Sequence, residues 1–318
     1  MKDIQREDIH IISRHSDMDE EGIAQILTEN IYNNRYNWQK FLRLFFITLG
    51  IGFTVSGIIF FFAYNWADLN KFAKIGLTEL LVIATTSFVL FAKTSKSTKN
   101  IILTGSAVLV GALFAVYGQI YQTGANAYDF FLGWTIFIAL WVIVSDFAPL
   151  WLLFLLLINA TFLLYTEQVA KDWSPIFICL FLFLLNSSAA ITGIFISESK
   201  KDIYAPRWFL NIVSFAAVSF ATMGIVIGIS DEYDPDFPFL VLFSLIVFGL
   251  GIWHSLKKKN GFYLAVIPLS LIIIISALIF EISDNEASFL LVSLFTIVSV
   301  TLVIWNLINF QKKWKNEK

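Results

Sequence analysis

The stretch GFYLAVIPLSLIIIISALIF, residues 261–280, holds no charged side chain over its whole length. A helix needs about 20 apolar residues to cross the hydrocarbon core of a bilayer. Backbone in lipid must satisfy its own hydrogen bonds, which excludes an isolated strand. Residues 261–280 therefore read as one membrane-spanning helix. Nine similar stretches accompany it, at 43–65, 75–92, 101–118, 128–145, 149–166, 174–196, 208–229, 239–256 and 288–310. The whole chain has the same character. It is 58% hydrophobic and 14% charged, with mean hydropathy +0.74, whereas a soluble domain is about half apolar and about a quarter charged. The expected fold is all-α: a polytopic transmembrane helix bundle of about ten spans, preceded by a short cytoplasmic helical segment.

The organisation follows from these limits. Residues 1–40 are a polar, amphipathic segment. Residues 41–166 hold spans one to five, residues 167–310 hold spans six to ten, and residues 311–318 form a basic tail. Asp146, Phe147, Ala148 and Pro149 alone separate spans four and five, with the proline suited to a first helical turn. In SDMDEEGIAQILTEN, Ser16 with Asp19 or Asp17 with Glu20 could form a capping box. Ile23, Ile26, Leu27 and Ile31 then share a helix face, which either packs on the membrane surface or binds a partner. Because residues 1–40 are polar, no cleavable leader is expected. The two halves show no residue-level repeat.

Lysine and arginine bias sets orientation. With the N-terminus in the cytoplasm, inner loops hold Lys93, Lys96, Lys99, Lys200, Lys201, Arg207, Lys257, Lys258 and Lys259, and the tail adds Lys312, Lys313, Lys315 and Lys318. Outer loops hold only Lys71, Lys74 and Lys171. Both termini are expected in the cytoplasm.

Several functions are excluded or unsupported. Net charge is −2, so no basic footprint suggests nucleic acid. The single cysteine, Cys179, cannot form an internal disulfide, and His10, His15 and His254 show no metal-ligand spacing. No phosphate-binding loop, dinucleotide fingerprint or hydrolase motif occurs. No catalytic residue, cofactor or metal is expected.

Polar residues gather at one expected outer level. FFAYNWADLNKFAKIGLTELL brings Asn65, Trp66, Asp68, Lys71, Lys74 and Glu79. GQIYQTGANAYDFFLGW, residues 118–134, follows Tyr117 and brings Gln119, Tyr121, Gln122, Asn126, Asp129 and Trp134. Polar groups in or beside a bilayer are expensive and tend to mark sites. The candidate ligand-binding set is Asn65, Trp66, Lys71, Lys74, Glu79, Tyr117, Gln119, Tyr121, Gln122, Asp129 and Trp134. Glu79 is the one acidic residue well inside an apolar span. It either reaches up to the interface or carries a proton or cation. Gln119 and Gln122 share a face if helix three continues through them, and Gly118 and Gly124 permit irregular backbone. The tyrosines and tryptophan also suit an interfacial aromatic belt. Asn159, Asn186, Ser187, Ser188, Asn211 and Asn306 read as interhelical glue. Gly224 with Gly228, and Gly52 with Ser56, read as close-packing pairs.

FFAYNWADLNKFAKIG (61–76) and the GQIYQTGANAYDFFLGW stretch together resemble the domain-of-unknown-function 2157 family of bacterial membrane proteins, over roughly residues 10–165. The resemblance implies a protein of the bacterial cytoplasmic (inner) membrane and no particular activity. Three functions then compete: a secondary transporter or permease-like protein with a polar pocket near the outer leaflet, a non-catalytic sensor or envelope assembly component, and an intramembrane enzyme on lipid-linked substrates. The expected partners are the lipid bilayer and an unidentified small molecule or envelope component.

Overall fold

The computed structural model describes residues 19, 21–23, 27, 35–64, 69–121, 124, 126–199, 205–230, 233–282 and 287–316. Ten long helices carry the chain: α1 Arg35–Tyr64, α2 Lys71–Phe91, α3 Lys96–Tyr121, α4 Ala127–Ser145, α5 Ala148–Gln168, α6 Pro175–Ser199, α7 Arg207–Ser230, α8 Phe237–Lys258, α9 Gly261–Ile282 and α10 Ala287–Asn316. All ten are long and apolar enough to cross a membrane, and no strand occurs among the described residues. The protein is an all-α polytopic membrane bundle, as its composition requires.

Most helices outrun their apolar stretches. α1 starts at Arg35, before the expected boundary at 40, and α10 continues to Asn316, into the expected tail. Hydropathy marks only the part of a helix within hydrocarbon, while helical hydrogen bonding continues through good helix formers such as Gln39, Lys40, Lys312 and Lys313. Between α4 and α5 the backbone turns at Asp146, which is left-handed at φ 48, and Pro149 sits in the first turn of α5. Of the N-terminal caps expected from sequence, Ser16, Asp17 and Glu20 lie outside the described residues. Asp19 itself accepts the Gly22 N–H at 2.9 Å.

The chain divides into two compact units, residues 1–121 and 122–318. The division falls inside the GQIYQTGANAYDFFLGW stretch, earlier than the boundary at 166 drawn from sequence. In the first unit α3 is central, with α1 and α2 both packed on it. A Cβ on Gly105 of α3 would stand 2.6 Å from Ile51 Cγ2 of α1. That contact corrects the expectation for Gly52 and Ser56. Both are exposed, and nothing lies within 4 Å of a Cβ built on Gly52. The small residue that admits close approach lies on the partner helix.

In the second unit α7 packs against α5, α6, α8 and α9. Here the expected glycine pair does admit close approach. A Cβ on Gly224 would stand 2.6 Å from both Cys179 Cβ of α6 and Leu240 Cδ2 of α8, and one on Gly228 would run into the Phe237 ring. Polar pairs add direction to the packing. Ser214 and Tyr263 hydroxyls lie 3.0 Å apart, and Thr222 and Ser270 hydroxyls 2.6 Å apart, both joining α7 to α9. Asn186 of α6 donates to Asn159 Oδ1 of α5 at 2.7 Å, and Asn159 donates back at 3.3 Å. These two amides act as the interhelical glue their position suggested.

Overpacking a close helix contact costs about 1–3 kcal/mol. Gly224→Leu should therefore lower the thermal midpoint of the detergent-solubilised protein clearly, while Gly52→Leu should leave it nearly unchanged. Equal effects in a thermal melt would contradict the assigned interfaces.

Candidate functional site

The polar residues expected to converge are split between the units. In the first unit, Asn70 caps α2, its side chain accepting the Ala73 N–H at 2.8 Å. Lys71 follows, its ammonium 5.3 Å from the Phe72 ring centroid, and Lys74 lies one turn on. α2 and α3 are consecutive antiparallel neighbours, so the start of α2 and the end of α3 share one end of the pair. Tyr117 and Tyr121 stack there with centroids 5.3 Å apart, and both are exposed, as is Gln119. Glu79 is half-buried, eight residues into α2, or about 12 Å along the axis at helical rise. It lies beside Thr78, which is buried and donates to the Lys74 and Ile75 carbonyls at 2.9 Å each. Gln119 lies in the last described turn of α3, which runs to Tyr121. Gly118 is helical, while Gly124 takes the left-handed backbone that glycine allows, at φ 64. Asn65, Trp66, Asp68 and Gln122 lie outside the described residues.

In the second unit, Asp129 and Trp134 hold the start of α4. Asp129 Oδ2 accepts the Asn126 N–H at 3.1 Å, closing the first turn from inside the helix. Tyr128 N–H donates to Gln168 Oε1 at 3.1 Å, and the Tyr128 and Tyr165 rings meet edge-on at 5.2 Å. Trp134 is half-buried beside Phe130 and Phe131. Both residues therefore have structural work at the α4–α5 end. No group of three or more His, Cys, Asp or Glu side chains that could hold a metal occurs among the described residues.

The second unit contains a site the sequence did not reveal. A cavity of about 250 Å³ lies between α6, α7, α8 and α9. Ser187, Ser214, His254 and Tyr263 are among the residues that line it, and the rest of its wall is mostly aliphatic and aromatic. The Ser187 side chain is 4% exposed, and its hydroxyl has no hydrogen-bond partner. Ser214 and Tyr263 pair with each other on the α7–α9 side, and the His254 ring meets the Tyr263 ring edge-on at 6.1 Å. The tight α8–α9 turn fixes this corner. Lys259 is left-handed at φ 52, Asn260 N–H donates to the Ser255 carbonyl at 3.0 Å, and Asn260 Oδ1 accepts the Phe262 N–H at 3.0 Å.

The cavity is open on one side. Ile191 and Phe195 of α6 are 49% and 69% exposed, and Leu250 and Trp253 of α8 are 52% and 59% exposed. All four line it. These large apolar side chains flank an opening on the flank of the bundle, at the level of the spans. Lys257, one turn past Trp253, holds its ammonium 4.8 Å from the Trp253 ring centroid. A second cavity of about 490 Å³ lies between α4, α5, α6 and α7, lined in part by Asp146, Trp151, Ser188 and Thr192.

Residues 18–151 match the model of the domain-of-unknown-function 2157 family, described as a predicted membrane protein. The match spans both motifs that carried the resemblance and is somewhat shorter at each end than residues 10–165. It includes α1 to α4 and the first residues of α5, and it stops before the helices that form the 250 Å³ cavity. No curated protein and no solved structure gives a match.

The Asp129 geometry generates a direct test. Losing a cap costs about 0.5–2 kcal/mol. Asp129→Ala should lower thermal stability by an amount in that range, and Asp129→Asn, which keeps an acceptor, should restore most of it. A stable Asp129→Ala protein would return Asp129 to the list of ligand-binding candidates.

Proposed function

We propose that this is a permease-like protein of the bacterial cytoplasmic membrane that takes a small, mostly apolar molecule from the bilayer into the α6–α9 cavity. The observation that carries this reading is the cavity's lateral opening, flanked by Ile191, Phe195, Leu250 and Trp253. Ligand sites are typically concave and apolar, with a few polar groups that fix orientation. An opening that faces lipid selects ligands already dissolved in lipid. In this reading both termini are cytoplasmic, because thirteen of the sixteen loop and tail lysines and arginines considered then lie inside. The cavity end of α8 and α9, next to Lys257, Lys258 and Lys259, is then the cytoplasmic end.

The polar end of the first unit faces outwards in the same orientation. Lys71, Lys74, Glu79, Tyr117, Gln119 and Tyr121 are proposed to frame a second, polar station near the outer leaflet, with Asn65, Trp66 and Gln122 close in sequence. One observation favours a sensor as the alternative. The chain divides into its two units within the family-like motif, and the cavity lies wholly in the second unit. A ligand held by one unit could then be reported by the other without transport. Reconstituted vesicles separate the two, since only a transporter moves the ligand across. Glu79→Gln should slow that flux and leave folding intact.

Purification from membranes tests the cavity itself. Wild-type protein should retain a hydrophobic small molecule detectable by mass spectrometry, and Val247→Phe, which fills the cavity wall, should lose it without loss of thermal stability. Equal retention by both proteins would contradict the site. Cysteines placed at Lys258 and Tyr233 in a Cys179→Ser background test orientation. An impermeant reagent added to intact cells should label only the second.

A further inference from the structure

We propose that the α6–α9 cavity holds the chain of a medium-chain fatty acid, with its carboxylate beside the Lys257 ammonium at one end of the opening. This rests on the lateral-cavity reading and adds the chemistry of the ligand.

The wall sets the body of the ligand. The Ser214 and Tyr263 hydroxyls are bonded to each other at 3.0 Å, and the Ser187 hydroxyl is buried away from the cavity surface. What a ligand meets is mostly hydrocarbon, from side chains such as Ile191, Ile194, Val247 and Leu250. A ligand with polar groups along its body would give up hydrogen bonds and regain few of them here. A saturated chain gives up none.

The shape sets its length. The cavity follows α6 over residues 187–195 and α8 over residues 247–254, whereas α7 and α9 border it only over residues 214–218 and 263–267. It is a slot along the spans, about 10–12 Å long at helical rise. Acyl chains of the bilayer run in the same direction. An apolar cavity of about 150 Å³ holds one benzene molecule. At the same filling, about 250 Å³ takes about ten carbons. An extended chain of that size is about 11 Å long at ordinary bond lengths. Volume and length agree on one chain, so a two-chain phospholipid fits only in part.

Charge sets its direction, because the two ends of the slot differ. The Lys257 ammonium stands 4.8 Å from the ring centroid of Trp253, and Trp253 lines the cavity. That contact holds the ammonium back along α8, beside the opening. Lys257 is exposed, and among the described residues it makes no ion pair. At the other end, near Val247 and Ala190, there is no charge to meet: α8 carries none from Phe237 to Trp253, and α6 none from Pro175 to Ser197. A neutral chain would fill the slot but leave the ammonium unused. A cationic head would be repelled by Lys257 and by Lys258 and Lys259 beyond it. A carboxylate accepts from the ammonium while its chain runs towards Val247.

The test uses the full chain in phosphatidylcholine nanodiscs and two photoreactive probes, a ten-carbon carboxylate with a diazirine at the tail end and the matching alcohol. Crosslinks are located by peptide mass spectrometry. The carboxylate should label near Val247 and Ala190, the end away from Lys257, and more strongly than the alcohol. Lys257→Gln, a change at an exposed position, should lower carboxylate labelling about two- to fivefold, the size of one partly exposed ion pair. It should leave alcohol labelling as it was. Equal labelling by the two probes, or carboxylate labelling unaffected by Lys257→Gln, would overturn the fatty-acid assignment and leave the cavity standing. Cavity residues labelled by neither probe, together with no hydrophobe lost in Val247→Phe, would overturn both.

Discussion

Hydrocarbon cannot hydrogen-bond to a peptide group, and everything in this protein depends on that. Each span must close its own backbone bonds, so each is a helix. Once the helices form, burial of leucine or phenylalanine does little to bring them together, because lipid tails are equally apolar. What remains is close approach at small residues and hydrogen bonds between side chains. α7 concentrates both. Gly224 and Gly228 admit α6 and α8, and Ser214 and Thr222 bond to Tyr263 and Ser270 of α9. The helix with the most neighbours is the one with the small and hydroxylated faces.

The same constraint sorts the polar groups within the spans. A polar group in a span has three outcomes: it bonds its own helix, it bonds a neighbour, or it waits for something else. Thr161 and Thr301 take the first, donating to Leu157 and Ile297 carbonyls at 2.7 Å. Asn159 and Asn186 take the second. Ser187 takes the third: its hydroxyl is buried without a partner, while other atoms of the residue line the 250 Å³ cavity. Thr86 and Ser244 also lack partners, but neither lines a cavity described above. An unpartnered buried serine and a cavity flanked by exposed apolar side chains thus occur on the same helix, α6.

Much of the fold was legible in the sequence because the membrane imposes a length and a composition on every span. The ten stretches, the punctuation at Asp146 and Pro149, the Gly224–Gly228 contact and the Asn159–Asn186 pair all follow from local pattern, whereas Ser187 and Ser188, also expected to join helices, do not: Ser188 bonds its own helix and Ser187 has no partner. Gly52 and Ser56 failed because a small pair says that a close contact is possible and not which face receives it. Gly105 carries that contact instead. Asp129 looked like a binding carboxylate and proves to accept from the Asn126 N–H, a role visible only once the α4 boundary is placed. The cavity could not be read at all. Ser187, Ser214, His254 and Tyr263 come from four helices, and no spacing links them. His254, the one histidine within a span, was the available signal.

The central claim is that the α6–α9 cavity opens to lipid. Spin labels at Phe195 and Leu250, one at a time in the reconstituted full-length protein, test it most directly. Oxygen dissolves in the bilayer and a nickel chelate stays in water, so their collision rates with the label report which medium fills the opening. The account predicts frequent oxygen collisions and few with nickel at both positions. Frequent nickel collisions at both would mean a water-filled opening and would contradict a ligand delivered from the membrane.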